Sequence, residues 1–337
     1  MPVPVQRTNV VAAYLECADV RIDGLLMFDS PACAAFSGTL CAGGGTGDIG
    51  LVEFPSNAAS IKGQPLEQLR RSTNHAALVV ATRVTDDSLA PINAQFYNTP
   101  FGPPVLQVAG MHYAWLMEQA GKGAAAHFVS RCTRQTVDSF NVDARVTCGA
   151  SSPPIVVVTP RTSWWESTAE RAGGIVAWLA AVHAAAELTC DTRLKRDVLA
   201  WATCGHELGH LGLQELTRLH MPIVTGAKYW LHLGANLGGV SKLTLMLRAV
   251  DTADAEVMRD LLLAEGYPAQ HIHVESIGNI SGEGHDLHHL GAKVLSLAGS
   301  NLHFHAASDR WPGNVNAAGI AAIARAPARW IERHAQN

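Results

Sequence analysis

The chain has 337 residues, 48% hydrophobic and 16% charged, with a net charge of −4, enough to bury a large core in one or two domains. No Lys/Arg cluster stands out, which argues against nucleic acid or a membrane surface as partner. No basic-then-apolar leader opens the chain and no apolar run reaches the roughly 18 residues of a membrane span; seven cysteines without a C-x-x-C pair suggest free thiols and a cytoplasmic protein.

The first 50 residues carry no clear signature. Short strands are expected at ALVVATRV (77–84) and within FGPPVLQVAG (101–110), a helix at MHYAWLMEQAG, and further strands at AAHFVSRCT and ARVTCGA. From residue 154 strands and helices alternate. PIVVVTP (154–160) is a β-branched run, and residues 169–188 place Ile175, Trp178, Leu179 and Val182 at helical spacing. DVLAWATC (197–204) reads as a buried strand and LGLQELTRLH as a helix. SKLTLMLRAV is a strand, DAEVMRDLLLAEG (254–266) a helix ended by Gly, AKVLSL (292–297) a strand, and NAAGIAAIARAPARWIERH a closing helix. This alternation implies an α/β fold, a three-layer, mostly parallel sheet with helices on both faces. Ligands of such folds gather at the carboxyl ends of the strands.

Residues 204–213, CGHELGHLGL, spell His-Glu-x-x-His with His206, Glu207 and His210. A zinc-binding helix needs both imidazoles on one helical face. Here the string follows a strand and a Gly, contains Gly209, and has Leu213 where a metzincin has Gly. His206 and Glu207 are therefore expected at a strand end, with His210 completing the string incidentally.

The order of pieces resembles the zinc aminopeptidase and glutaminyl cyclase family. RAGGIVAWLAAVHAAAEL followed by RDVLAWATCGHELGHLGL is similar to its Asp-Asn-x-Ser-Gly helix and its strand ending in Glu-Glu. NVDARVTCGASSPPIVVVTPRTSWW resembles its His-x-Asp-Ser strand end, and LHFHAASDRWPGNVNAAGIAAI its closing His segment. ALVVATRV and the stretch NAQFYNTPFGPPVLQVAGMHYAWLMEQAGKG resemble a protease-associated insert. The resemblance covers roughly residues 75–330. It implies a β-rich insert at 55–140, with 1–54 and 141–337 forming the catalytic-like domain.

Carried over position by position, the family's two-zinc site is incomplete. The first His falls on Pro160, its orienting Asp on Thr162, the bridging Asp on Glu170, the Glu-Glu pair on His206 and Glu207, a further Asp near Ala235, and the last His on His305. The surviving set, Glu170, Glu207 and His305, would hold one divalent ion, zinc by resemblance, with Fe(II) or Mn(II) also suited to such donors. His206 at the base position could take a proton from metal-bound water. Arg161 would take a substrate carboxylate, and Trp164 and His288 would line the pocket.

The resulting expectation is a single-metal hydrolase cleaving a carbon–nitrogen bond of a small, non-peptide substrate, in a chain that could form a homodimer. A non-catalytic relative kept for binding or assembly, and non-hydrolytic metal chemistry (an Fe(II) oxygenase or a cyclase-like transfer), are the alternatives. Bland readings stand beside each residue: Glu170 complementing a helix dipole, His305 a core histidine, Trp164 packing, and residues 285–289 a solvated His-rich loop.

Overall fold

The structure is a computed structural model that describes residues 1–337 except 32, 56–59, 85, 240–243 and 337. Residues 2–140 build an eight-stranded sheet from β1 (Pro2–Cys17), β2 (Val20–Asp23), β3 (Leu25–Leu26), β4 (Cys33–Ala42), β5 (Ile49–Pro55), β6 (Ala77–Arg83), β7 (Val105–Ala109) and β8 (Ala125–Phe140). Helices α1 (Pro65–Ser72) and α2 (Tyr113–Gly121) lie between them in sequence. The spatial order is β2-β1-β8-β4-β5-β6-β7-β3. The chain's first 54 residues thus pair within this sheet rather than with the C-terminal part, which corrects the boundary expected after residue 54. The reason is long-range: β1 runs antiparallel to β8 from Pro2↔Phe140 to Cys17↔Ala126, a pairing across more than a hundred residues that no local pattern announces.

The second sheet has seven strands, β9 (Val142–Val146), β10 (Ile155–Pro160), β11 (Val198–Thr203), β12 (Tyr229–Leu233), β13 (Leu245–Ala249), β14 (Ile272–Ser276) and β15 (Val294–Gly299). Their order is β14-β13-β15-β12-β10-β11-β9. The β10–β11, β10–β12, β12–β15 and β13–β14 pairs are parallel, and β9 and β15 meet their neighbours β11 and β13 antiparallel. The α/β reading therefore holds. Residues 241–243 of the expected strand SKLTLMLRAV lie outside the described residues; the strand itself begins at Leu245.

Period-2 alternation divides the core. Ile155 and Val157 of β10 join a cluster with Ala177, Trp178 and Trp330, whereas Val156 and Val158 face Leu213, Leu216, Trp230 and Leu287 on the other side. One face is covered by α3 (Gly173–Cys190), α5 (Thr252–Ala264) and α7 (Ala317–Ala335), the other by α4 (Leu211–Gly226) and α6 (Gly282–His289). A stretch within Thr168–Cys190 has mean hydropathy 1.4, long and apolar enough to cross a membrane by composition. Its Ala177, Trp178, Ala181, Ala185 and Leu188 are buried in the core of the second sheet. The expected loop at 285–289 is helical, α6, because Leu287 is held in the core and draws its neighbours into register.

Buried Asn141 ties the two bodies together. Its Nδ2 donates to Gly212 O at 2.8 Å, and its Oδ1 accepts from Cys204 N at 2.9 Å. Asn141→Ala leaves both backbone groups without these partners, and urea denaturation should show a loss of about 2 kcal/mol.

Candidate functional site

The carboxyl ends of β10, β11, β12 and β15 open towards residues 91–97 of the first body. Ala94 N donates to Glu207 O at 2.7 Å, and Trp164 Nε1 donates to Asn93 Oδ1 at 3.1 Å. Between them lie two adjoining sets of polar groups, a buried carboxylate cluster and a cavity of about 360 Å³.

The cluster grows from three segments. After β10 the chain turns through Thr162. Before α3 a single wide turn of π type, Thr168–Ala172, carries Glu170 and Arg171, and Asp309 receives the backbone N–H groups of Ala169 and Glu170 at 2.8 and 3.0 Å. After β11, Gly205, Gly209 and His210 take left-handed φ of 63°, 80° and 62°, so residues 206–208 form one tight turn. The His-Glu-x-x-His string is therefore not a zinc-binding α-helix, as its glycines foretell.

Glu170, Glu207 and His305 do come together, as expected from sequence, but around a side chain that the sequence reading passed over. Arg171 Nη2 stands 2.7 Å from Glu207 Oε1 and 2.8 Å from Glu170 Oε1, with all three side chains buried. Arg171 Nε donates to Thr162 O at 2.6 Å, and Thr162 Oγ1 donates to the other Glu207 oxygen at 2.8 Å. His305 Nε2 lies 3.8 Å from Glu170 Oε1. A divalent ion bound to these oxygens at about 2.0–2.2 Å would need the place that the guanidinium holds, beside a like charge. The residues present do not fit a metal ion, and among the described residues no three His, Cys, Asp or Glu side chains are arranged to hold one. Both Glu170 oxygens and His305 Nε2 are buried without hydrogen-bond partners, so Glu170 meets Arg171 as an ion pair only.

Electrostatics closes the cluster without an ion. Burial raises the Glu170 carboxyl to about 7, Glu207 and Asp309 adding to the push that Arg171 opposes. Burial also works against ionised Glu207, but Arg171, His206 and Thr162 outweigh it and hold its pKa below the usual value. Burial lowers His305 to about 4. With Glu170 protonated, one guanidinium balances one carboxylate.

The cavity is lined by His206, His210, His232, Asn93, Gln95 and Phe304, among others. His206 Nδ1 is 3.2 Å from Glu283 Oε1, whose two oxygens accept from Thr203 Oγ1 at 2.8 and 2.7 Å. His210 Nδ1 is 2.7 Å from Asp286 Oδ2, and His232 Nδ1 is 2.8 Å from Ser296 Oγ. Burial, aided by Arg171 and His210, holds His206 well below the ordinary imidazole value. Burial works the same way on His210, but the bond to Asp286 and the charge of Glu283 reverse it, and its pKa is raised.

Three expected substrate contacts are placed elsewhere. Arg161 donates from Nε to Phe140 O at 2.9 Å and does not line the cavity, because the β8–β9 junction offers it a carbonyl first. Trp164 stacks on Phe28 with centroids 5.2 Å apart, a packing role. His288 lies near the far end of α6, whose first residue Gly282 lines the cavity, and is not itself among the lining residues. Arg171 was legible in principle, being adjacent to Glu170. Glu283, Asp286 and His232 carried no signal, because their partners lie up to 80 residues away, and His210, which the string includes, gave no hint of its bond to Asp286.

The two-body arrangement with this strand order matches solved structures across nearly the whole chain. The fold is that of the zinc aminopeptidases. A peptidase M28 precursor from Shewanella amazonensis superposes with a TM-score of 0.71 at 16% identity, covering 98% of this chain and 82% of that one. The zinc aminopeptidase BSAP from Bacillus subtilis gives 0.69 at 15% identity over 97% and 84%. An aminopeptidase from Aneurinibacillus gives 0.63 at 14% over 98% and 83%. No family model matches the sequence, and no curated protein does. At these identities the likeness concerns the fold.

Proposed function

We propose that this chain is a metal-independent relative of the aminopeptidase fold that binds a small polar molecule in its histidine-lined cavity. One observation carries the reading: the Arg171 guanidinium stands between Glu170 and Glu207, two of the side chains that the sequence suggested as metal ligands, and is the cation that pairs with them. No hydrolytic step is routed through a metal there. The cavity, about 360 Å³ and ringed by imidazole, amide and hydroxyl groups, is of the size and lining that small molecules occupy.

The reading is tested by turnover of leucine p-nitroanilide with and without added zinc or manganese. The expected result is no rate above that of Glu207→Ala. A rate that this substitution abolishes would overturn it. A second reading, metal-independent hydrolysis of a small amide, is favoured by His206: it faces the cavity, is backed by Glu283 and is held neutral, as a general base requires. It predicts turnover of simple amides that is lost in His206→Ala and indifferent to chelators.

A further inference from the structure

The wall of the cavity offers no unmatched formal charge. Among the described residues that line it there is no Asp, Glu, Lys or Arg. The charged groups nearby stand behind the wall and are engaged there. Asp286 Oδ2 lies 2.7 Å from His210 Nδ1, Glu283 Oε1 lies 3.2 Å from His206 Nδ1 while accepting from Thr203, and Arg171 holds Glu207. The one lining histidine whose pKa is raised, His210, has its charge matched by Asp286. An ammonium or a carboxylate entering this space gives up water without gaining an opposite charge of its own. What the wall offers instead is hydrogen bonding in both senses. Asn93 gives its Oδ1 to Trp164 Nε1 at 3.1 Å, which leaves the amide NH2, a donor, for the cavity. Asn236 is the opposite case: its Oδ1 is buried with no hydrogen-bond partner, an acceptor lacking a donor. Buried His232 meets Ser296 through Nδ1, and its Nε2 is also unpartnered. Gln95, Ser60 and Ser281 add an amide and two hydroxyls, and Phe304 contributes one aromatic side.

We propose that the cavity binds a small uncharged polyhydroxyl compound, of the chemical class of a monosaccharide. A hydroxyl both donates and accepts, so a ring that carries several of them answers a wall that mixes donors with acceptors and has no charge to desolvate. The C–H face of such a ring packs on Phe304, whose π face is electron-rich. A peptide's terminal ammonium, by contrast, meets no carboxylate among the described residues of this wall. The inference rests on the reading that the cavity, and not the carboxylate cluster, is the working site, and it names the class of molecule bound there.

The test uses the full chain and titration calorimetry. D-glucose, D-galactose and D-mannose are the neutral probes, each beside its amino-sugar and uronate forms, which carry the same ring with an ammonium or a carboxylate. At least one neutral sugar should bind, one per chain, and its charged forms should bind about tenfold or more weakly. Gln95→Ala and Phe304→Ala should each weaken that binding, Gln95→Ala by about tenfold. Because neutral and charged sugars are compared on the wild type, that result stands even where a variant fails to fold. A charged form that binds as tightly as its neutral parent overturns this inference and leaves the proposed function standing, as does the absence of binding by every neutral sugar. Neutral-sugar binding untouched by both substitutions puts the sugar outside the cavity and overturns the inference as well. The proposed function fails separately, by leucine p-nitroanilide turnover that Glu207→Ala abolishes.

Discussion

Arg171→Met should destabilise the protein by about 3–5 kcal/mol, the typical consequence of removing one partner of a buried charge pair, read as the shift in a urea transition. The reason is what remains behind. Glu207 sits in the core with its ionised form held by Arg171 and Thr162, and the Met side chain offers neither a charge nor a donor. Truncating the other side tests the same account. The double variant Arg171→Met/Glu207→Gln should recover part of the loss, because the stranded charge is gone and Gln still accepts from Thr162. Zinc added to Arg171→Ala should raise its melting temperature, since the shorter side chain vacates the place between Glu170, Glu207 and His305; in Glu170→Gln, where the guanidinium stays, zinc should leave the cluster unaffected. Equal stability of wild type and Arg171→Met would mean that the guanidinium is not the cation of this cluster.

The second large effect is on pH dependence. The Glu170 carboxyl titrates at about 7 in the folded chain and near the ordinary 4.5 when unfolded. Below about pH 4.5 both states carry the proton. Between 4.5 and 7 the unfolded chain releases it while the folded chain keeps it, so stability falls as pH rises through that window and levels off above 7. A separation of about 2.5 pH units between the two states corresponds to about 3 kcal/mol. The amide of the Glu170→Gln variant cannot titrate and resembles the protonated carboxyl. Relative to their difference at about pH 4, Glu170→Gln should therefore gain on the wild type by about 3 kcal/mol by about pH 8. Denaturant titrations at closely spaced pH values measure this. A metal ligand would behave in the opposite sense, with Glu170→Gln losing stability at the alkaline end, where an ion binds best.

These effects show which parts of the site could be read from sequence. Glu170, Glu207 and His305 converge because each sits at the end or start of an element whose periodicity is visible: α3, β11 and the segment before α7. The strand-end positions of His206 and Glu207 follow from the buried run of β11 and the two glycines around the turn. What occupies the centre was not visible. Arg171 follows Glu170 on a wide turn, and whether its side chain reaches inward or into solvent depends on Thr162 O and Glu207 lying within range, a matter of how β10 and β11 are placed beside α3.

Amino-acid sequence alone determined the alternation of β-branched strands with amphipathic helices, hence the parallel sheet and the location of a site at its carboxyl edge, because both follow from local spacing and turn chemistry. Tertiary structure decided the rest. The β1–β8 pairing joined the first 54 residues to the first sheet through contacts more than a hundred residues apart. The core position of Leu287 made a helix of a glycine- and histidine-rich segment whose intrinsic propensity is poor. Glu283 and Asp286 on that helix then turned His206 and His210 towards the cavity. Burial decided the charge state of Glu170 and made an arginine the cation at the centre, since desolvation and pairing energies exist only once the chain has closed around them.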